Sequence, residues 1–224
     1  MVDQNLTEIV AIIDRSGSMQ NLRSDTIGGF NSFISEQKKA EGKAILTLVQ
    51  FDDQYQIDYE GKDINDVADL NETTYVPRGS TALLDAVGRT VNAVGARLAA
   101  LPEEKRPGQI IFLIVTDGHE NCSKEFRADK VKGMVKHQTD VYKWSFVFMG
   151  GGNIESQKDQ GARLGISSSN TYGYSTNAGG TQNLYSSISK GVMRRRSAQA
   201  AGVDIRATDA ILTEAEVSCL VTDK

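Results

Sequence analysis

The stretch Ile9-Val10-Ala11-Ile12-Ile13-Asp14-Arg15-Ser16-Gly17-Ser18 decides the fold of this chain. Its first five residues form a continuous apolar run, as expected of a strand covered on both faces. A carboxylate and two hydroxyls follow at alternate positions, Asp14, Ser16 and Ser18. They leave the strand end together as a cluster of hard oxygen donors. The cluster carries too little charge to satisfy a divalent cation alone.

Working outward, strands and helices alternate. Ile27, Phe30, Phe33 and Ile34 keep helical spacing, and Gly42 is a helix stop. Residues 44–51 read as a second strand. Asp52-Asp53 make a turn, and residues 54–59 return as a short hairpin partner. The segment from Gly61 to Val76 is polar and irregular. Thr81 to Leu101 is helical, with Leu84, Val87, Val91, Val94 and Leu98 on one stripe and Ser80 or Thr81 as its N-cap. Residues 110–115 are a second fully apolar strand, ending in Thr116-Asp117-Gly118. Phe126, Val131, Met134 and Val135 mark a helix. Trp144 to Met149 form a strand closed by Gly150-Gly151-Gly152. A polar helix near Glu155 to Leu164, a short strand or turn at Ile166 and a helix through Leu184, Ile188 and Val192 complete the main body.

This alternation predicts an α/β fold: a three-layer, doubly wound, mostly parallel sheet with one antiparallel edge strand and helices on both faces. The domain spans residues 5–197. Residues 198–224 hold one weak apolar cluster (Ile211, Leu212, Leu220, Val221) and read as an appendage. In open sheets of this kind, sites form outside the carboxyl ends of the strands. Asp14 and Asp117 both sit at that end, so topology alone places two distant carboxylates on one rim. The exposed loop carrying Ser80 and Thr81 approaches the same rim. The inventory is then Asp14, Ser16, Ser18, Thr81 and Asp117. Each part also has a plainer reading: a strand-to-helix turn at residues 14–18, a helix cap at Thr81 and a simple turn at Asp117-Gly118.

Taken together, Asp14-x-Ser16-x-Ser18, the threonine in Gly79-Ser80-Thr81-Ala82-Leu83-Leu84-Asp85-Ala86-Val87, and Thr116-Asp117-Gly118 resemble the von Willebrand factor A (vWA) domain. Its metal-ion-dependent adhesion site (MIDAS) combines a DxSxS motif with a distal threonine and a distal aspartate. The resemblance covers roughly residues 5 to 195 and suggests a stand-alone member of prokaryotic or phage type. It implies a Rossmann-like vWA fold and a bound Mg²⁺, or Mn²⁺ or Ca²⁺ in its place. Ser16 and Ser18 would ligate the ion directly, with Thr81 joining in the ligand-ready state. Asp14 and Asp117 would act through waters. Mg²⁺ prefers octahedral oxygen coordination, and a shell this poor in charge leaves it electrophilic. A protein partner presenting Asp or Glu would complete it. Arg15, Ser80, His119 and Glu120 form the expected partner-contact rim; His119, Glu120 and Asn121, just beyond Asp117, would border the ion and tune partner choice, and Arg15 would point to solvent or make a local salt bridge. An alternative within the same resemblance is an accessory subunit of a chelatase or stress-resistance assembly.

Composition narrows the remaining classes. The 224 residues are 39% hydrophobic and 24% charged, with a formal net charge of -4. That suits a soluble globular monomer and supplies no basic surface for nucleic acid. No apolar run reaches about eighteen residues, which excludes a transmembrane helix and any membrane role of that kind. The N-terminus shows no basic stretch followed by an apolar one, so the expectation is a cytoplasmic protein. Two cysteines without a CxxC pair are expected as thiols, and two histidines are too few for a zinc site. Arg194-Arg195-Arg196 is expected near a helix C-terminus, where cations meet the negative end of the dipole. A Mg²⁺-dependent hydrolase or phosphotransferase is the enzymatic alternative. It would need a second acid or base beside Asp14 and a lysine for phosphate. Position 16 is serine, no Gly-x-Ser-x-Gly occurs, and Gly150-Gly151-Gly152 lacks the rest of a phosphate loop. The expectation is therefore binding, not catalysis.

Overall fold

A computed structural model describes residues 1–203 and 205–220. Six strands, β1 (Asp3–Asp14), β2 (Lys43–Phe51), β3 (Tyr55–Asp63), β4 (Pro107–Thr116), β5 (Ser145–Gly151) and β6 (Thr171–Tyr174), form one sheet in the order β3-β2-β1-β4-β5-β6. All neighbours are parallel except β2 and β3, which form the expected antiparallel edge hairpin. Helices α1 (Arg23–Lys39), α2 (Leu83–Ala100), α3 (Ala128–Tyr142), α4 (Ile154–Leu164), α5 (Ala178–Ala200) and α6 (Glu214–Leu220) complete the three layers. Among the described residues, no helix is long and apolar enough to cross a membrane.

Successive side chains of a strand point to opposite faces, and β1 splits the core accordingly. Ile9, Ala11 and Ile13 pack with Phe30, Phe33 and Ile34 of α1 and Leu184, Ile188 and Val192 of α5. Val10 and Ile12 pack on the other face with Val87, Val91 and Val94 of α2 and Val131 and Val135 of α3. Asp14 continues the parity of Val10 and Ile12, so its side chain leaves toward α2. The strand order reverses between β1 and β4, where Ile13 lies beside Val115. The residues that follow, Asp14 and Thr116-Asp117, therefore emerge side by side at the crevice where such sheets bind ligands.

Three local expectations are revised, and the closing of β5 by Gly150-Gly151-Gly152 is met. The segment after Gly61 continues β3 to Asp63 and then buries Ile64, Val67, Leu70 and Tyr75 in the core. Widely spaced apolar residues hid this packing from a periodicity reading. The last strand is residues 171–174 and not Ile166. Neither Ser80 nor Thr81 caps α2: the cap position is Ala82, with no side-chain cap bond. Gly150-Gly151-Gly152 ends β5 and turns at Gly152 (φ 96°), after which Asn153 caps α4 through its side chain.

Helix α5 runs unbroken through residue 198, where the sequence suggested that an appendage begins. Residues 205–220 fold back across α5 and the β6 edge. Ile211, Leu212 and Leu220 are buried in the same core as α1 and α5; Val221 lies outside the described residues. The Arg194-Arg195-Arg196 run holds this arrangement. Arg194 pairs with Glu216, at 2.6 Å, and Arg196 donates to the carbonyls of Gln37 and Gly42, at 2.7 and 2.8 Å. Arg196 thus serves carbonyls at and beyond the C-terminal end of α1, a neighbouring helix, as well as lying near its own helix end.

Candidate metal centre

Asp14 is fully buried at the end of β1. Its Oδ1 accepts from the Ser16 amide at 2.6 Å and its Oδ2 from the Thr116 hydroxyl at 2.5 Å. Its main-chain carbonyl accepts from the Tyr75 hydroxyl at 2.6 Å. Burial pushes the Asp14 carboxyl up to about 6, against the lowering effect of the Thr116 and Ser16 hydrogen bonds and with a smaller push from Asp117. Asp117 is also raised by burial, opposed by its hydrogen bond from Ser18. Two carboxylates held above their usual range at one rim mark a place short of positive charge.

The hydroxyls close the cluster. Ser16 Oγ and Ser18 Oγ are 3.1 Å apart, and Ser18 donates to Asp117 Oδ1 at 2.6 Å. Thr81 is buried, and its hydroxyl faces the same spot. A methyl group placed on Gly118 would sit 3.0 Å from Thr81 Oγ1, 3.6 Å from Ser18 Oγ and 3.7 Å from Asp14 Oδ2. Three oxygens from two separate segments, the 14–18 turn and the Thr81 loop, thus converge on a small space kept open by a glycine of a third. All five residues singled out from sequence come together: Asp14, Ser16, Ser18, Thr81 and Asp117.

The donor set fits a hard divalent cation. It consists of carboxylate and hydroxyl oxygens alone, the ligand type that Mg²⁺, Mn²⁺ and Ca²⁺ prefer. Among the described residues, no group of three or more His, Cys, Asp or Glu forms a competing site.

Backbone stitching explains how loops so far apart in sequence hold this geometry. Arg15 N donates to Phe51 O at 2.8 Å, Arg78 N to Arg15 O at 2.7 Å and Gly17 N to Gly79 O at 3.1 Å. Thr81 and Asn121 clasp each other: Thr81 N donates to Asn121 Oδ1 at 2.9 Å, and Asn121 N to Thr81 O at 3.1 Å. The first amides of α2 are satisfied from across the rim, Leu84 N by Glu120 at 2.8 Å and Asp85 N by Ser123 at 3.1 Å. Asp85 in turn accepts from the amides of Lys124, Glu125 and Phe126. The loop after Asp117 therefore caps α2, and both carry the site.

The expected rim is corrected in two of its four members. Arg15 is buried, not at the surface; its Nε lies 3.1 Å from Asp52 Oδ2 and its Nη1 2.7 Å from Gln56. Glu120 spends its carboxylate on the amides of Leu84, Cys122 and Ser123. Ser80 and His119 are exposed, and His119 Nδ1 lies 2.7 Å from Gln160 Nε2. The sequence reading missed Thr116, Asp52 and Tyr75 as builders of the site. Thr116 stood within a quoted motif; Asp52 and Tyr75 act across loops and leave no local signal.

No sequence-family profile and no curated protein matches the chain. Solved structures do. Proximal thread matrix protein 1 of the mussel byssus superposes with a TM-score of 0.56 at 16% identity, over 85% of this chain and 46% of that one. A second structure of that protein, with a zinc-occupied MIDAS motif, gives 0.52 at 19% identity, over 87% and 45%. A von Willebrand factor type A protein of Catenulispora acidiphila gives 0.51 at 11% identity, over 84% and 42%. The ArnB paralog VWA2 of Sulfolobus acidocaldarius gives 0.51 at 13% identity, over 83% and 44%. The chain spans less than half the length of each. The six-stranded sheet with its single antiparallel edge and flanking helices is the Rossmann-like fold of von Willebrand factor A domains.

Proposed function

We propose that this chain is a divalent-cation-dependent protein-binding module whose metal is completed by an Asp or Glu of a protein partner. One observation carries the reading: Asp14, Ser18 and Thr81 oxygens converge on the space beside Gly118, with Ser16 and Asp117 bonded into the same cluster. The zinc bound at the MIDAS motif of the mussel protein supports a metal in this position on this fold. Mg²⁺ is the ion proposed for this chain, since every donor is a hard oxygen and three of the five are neutral. Ser16, Ser18 and Thr81 would bind it directly, and Asp14 and Asp117 would hold its waters. The exposed residues Ser80 and His119 flank the approach.

Binding is favoured over turnover by what surrounds the metal space. His119 is engaged with Gln160, and the two carboxylates beside the hydroxyls, Asp14 and Asp117, are the groups assigned to the metal's waters. The test is calorimetric titration of Mg²⁺ and Mn²⁺ into wild type and Asp14→Ala. This is followed by a pull-down with and without chelator, read by mass spectrometry. Unchanged metal binding in Asp14→Ala would remove the site. A partner retained in excess chelator would move the interaction to another surface.

A further inference from the structure

A cavity of about 690 Å³ lies at the opposite end of the sheet, between the starts of β4 and β5, the end of α3, the end of α5 and the loop that follows it. Its cationic lining is Arg195, Arg206 and Lys143; Asp140 is the one carboxylate among the described lining residues. Arg206 shares its charge with the Asp209 carboxylate, at 3.2 Å, which leaves Arg195 and Lys143 as the lining cations with no carboxylate bonded to them among the described residues. Two further lysines, Lys132 and Lys136, line an adjoining groove along the same face of α3.

Arg195 is the telling group. It is buried, yet its partners are neutral: Ser145 Oγ at 3.1 Å, the Arg206 carbonyl at 3.3 Å and the Asp209 carbonyl. The nearby Asp209 carboxylate is bonded instead to the Arg206 amide and guanidinium. A buried cation without a bonded counter-ion is costly unless something else neutralises it. Arg195 also has five donors and uses three. Burial lowers its proton affinity, and the Asp209 carboxylate nearby offsets this only in part. The rest of the wall is rich in neutral hydrogen-bonding groups: the amides of Gln4, Gln109 and Gln199 and the hydroxyls of Thr139 and Thr208. Gln109 keeps a buried side-chain oxygen without a partner. No aromatic ring stands among the described lining residues, so they offer no platform on which a nucleobase could stack.

We propose that this cavity binds a sugar phosphate. Arg195, Arg206 and Lys143 take the phosphate, and the glutamine and threonine side chains take the hydroxyls. A volume of this order accommodates a small phosphorylated metabolite. The site is independent of the metal centre.

The experiment titrates glucose 6-phosphate, ribose 5-phosphate, AMP, inorganic phosphate and glucose into the full chain by calorimetry, with thermal shift as a parallel readout. Sugar phosphate is expected to bind at least tenfold more tightly than inorganic phosphate, and glucose not at all. Lys143→Ala/Arg206→Ala changes only exposed side chains and should weaken binding about tenfold or more. Arg195→Lys keeps the charge but loses the forked donors, and should weaken it similarly. No binding of either sugar phosphate at about 10 mM would overturn the proposal, as would equal affinity in wild type and the folded double variant. Equal affinity for inorganic phosphate would overturn the sugar assignment, and tighter binding of AMP would replace it with a nucleotide.

Discussion

Replacing Asp14 by Asn should make the metal-free protein more stable and the metal-loaded protein less so. Asp14 is fully buried, and its carboxyl is raised from 3.8 to about 6. The folded state therefore holds its proton more tightly than the unfolded chain. Stability is greatest below the unfolded value and falls as pH rises through about 6. Each pKa unit corresponds to about 1.4 kcal/mol, so an ionised Asp14 costs the metal-free protein up to about 3 kcal/mol at neutral pH. Asparagine removes that cost and can keep the local bonds. Its Oδ1 accepts from Ser16 N, while its Nδ2 donates to Thr116 Oγ1. The Thr116 hydroxyl then turns its proton to Gly118 O, already 3.2 Å away. For a chain of this size, about 3 kcal/mol is worth roughly 6–12 °C in Tm. In chelator at pH 7.5, Asp14→Asn should melt several degrees above wild type, and the gap should narrow to about half by pH 5 and close near pH 4. With Mg²⁺ at about a hundred times its Kd, wild type should gain about 2.7 kcal/mol and the variant nothing. Thermal melts with and without metal at three pH values test all of this. A variant that melts below wild type in chelator and still responds to Mg²⁺ would refute both the burial argument and the metal assignment.

Gly118→Ala should leave the fold intact, since this glycine does not need positive φ. Its methyl would intrude to 3.0 Å from Thr81 Oγ1, so Mg²⁺ affinity should fall at least about tenfold by calorimetry. Asn121→Ala breaks the clasp on Thr81 and should cost about 1–2 kcal/mol in urea unfolding while also weakening metal binding. A metal affinity equal to wild type would show that Thr81 needs no such support. Leu220→Ala should cost about 2–5 kcal/mol, because Leu220 is fully buried in the main core. Truncation before residue 205 removes Ile211, Leu212 and Leu220 together and should leave the domain largely unfolded by circular dichroism; a truncated chain with native Tm would show the tail to be dispensable.

Much of this architecture was legible in the sequence because buried parallel strands read as unbroken apolar runs. Residues 9–13 and 110–115 announce the two central strands, and their ends fix where Asp14 and Asp117 emerge. Thr81 was found through its motif, although its local reading as a helix cap was wrong. The cap of α2 comes from Glu120 and Ser123, some forty residues away, and no local pattern encodes a bond between two loops. For the same reason Arg15 looked like a rim residue. Its neighbours in sequence face the metal space, but Asp52 at the end of β2 draws it inward. The tail misled differently: Ile211, Leu212 and Leu220 are too few to form a core alone, yet enough to finish one.

The hydrogen bonds within the cluster set a condition on how a cation would enter it. Ser18 donates to Asp117, Thr116 donates to Asp14, and the Ser16 and Ser18 hydroxyls face each other. A cation that takes Ser16 and Ser18 lone pairs must turn these protons outward, toward the carboxylates that already accept them. The network is therefore compatible with metal as it stands: Ser18 can ligate through a lone pair and keep its bond to Asp117. A deprotonated Asp14 and Asp117 neutralise a divalent ion without contacting it, so the ion gains little from the direct ligands themselves. Affinity for metal alone should then be modest and fall below about pH 6, where Asp14 takes its proton back. On the proposed function, an arriving carboxylate would add the charged ligand that the direct shell lacks, and by linkage metal and partner would tighten each other's binding by the same factor.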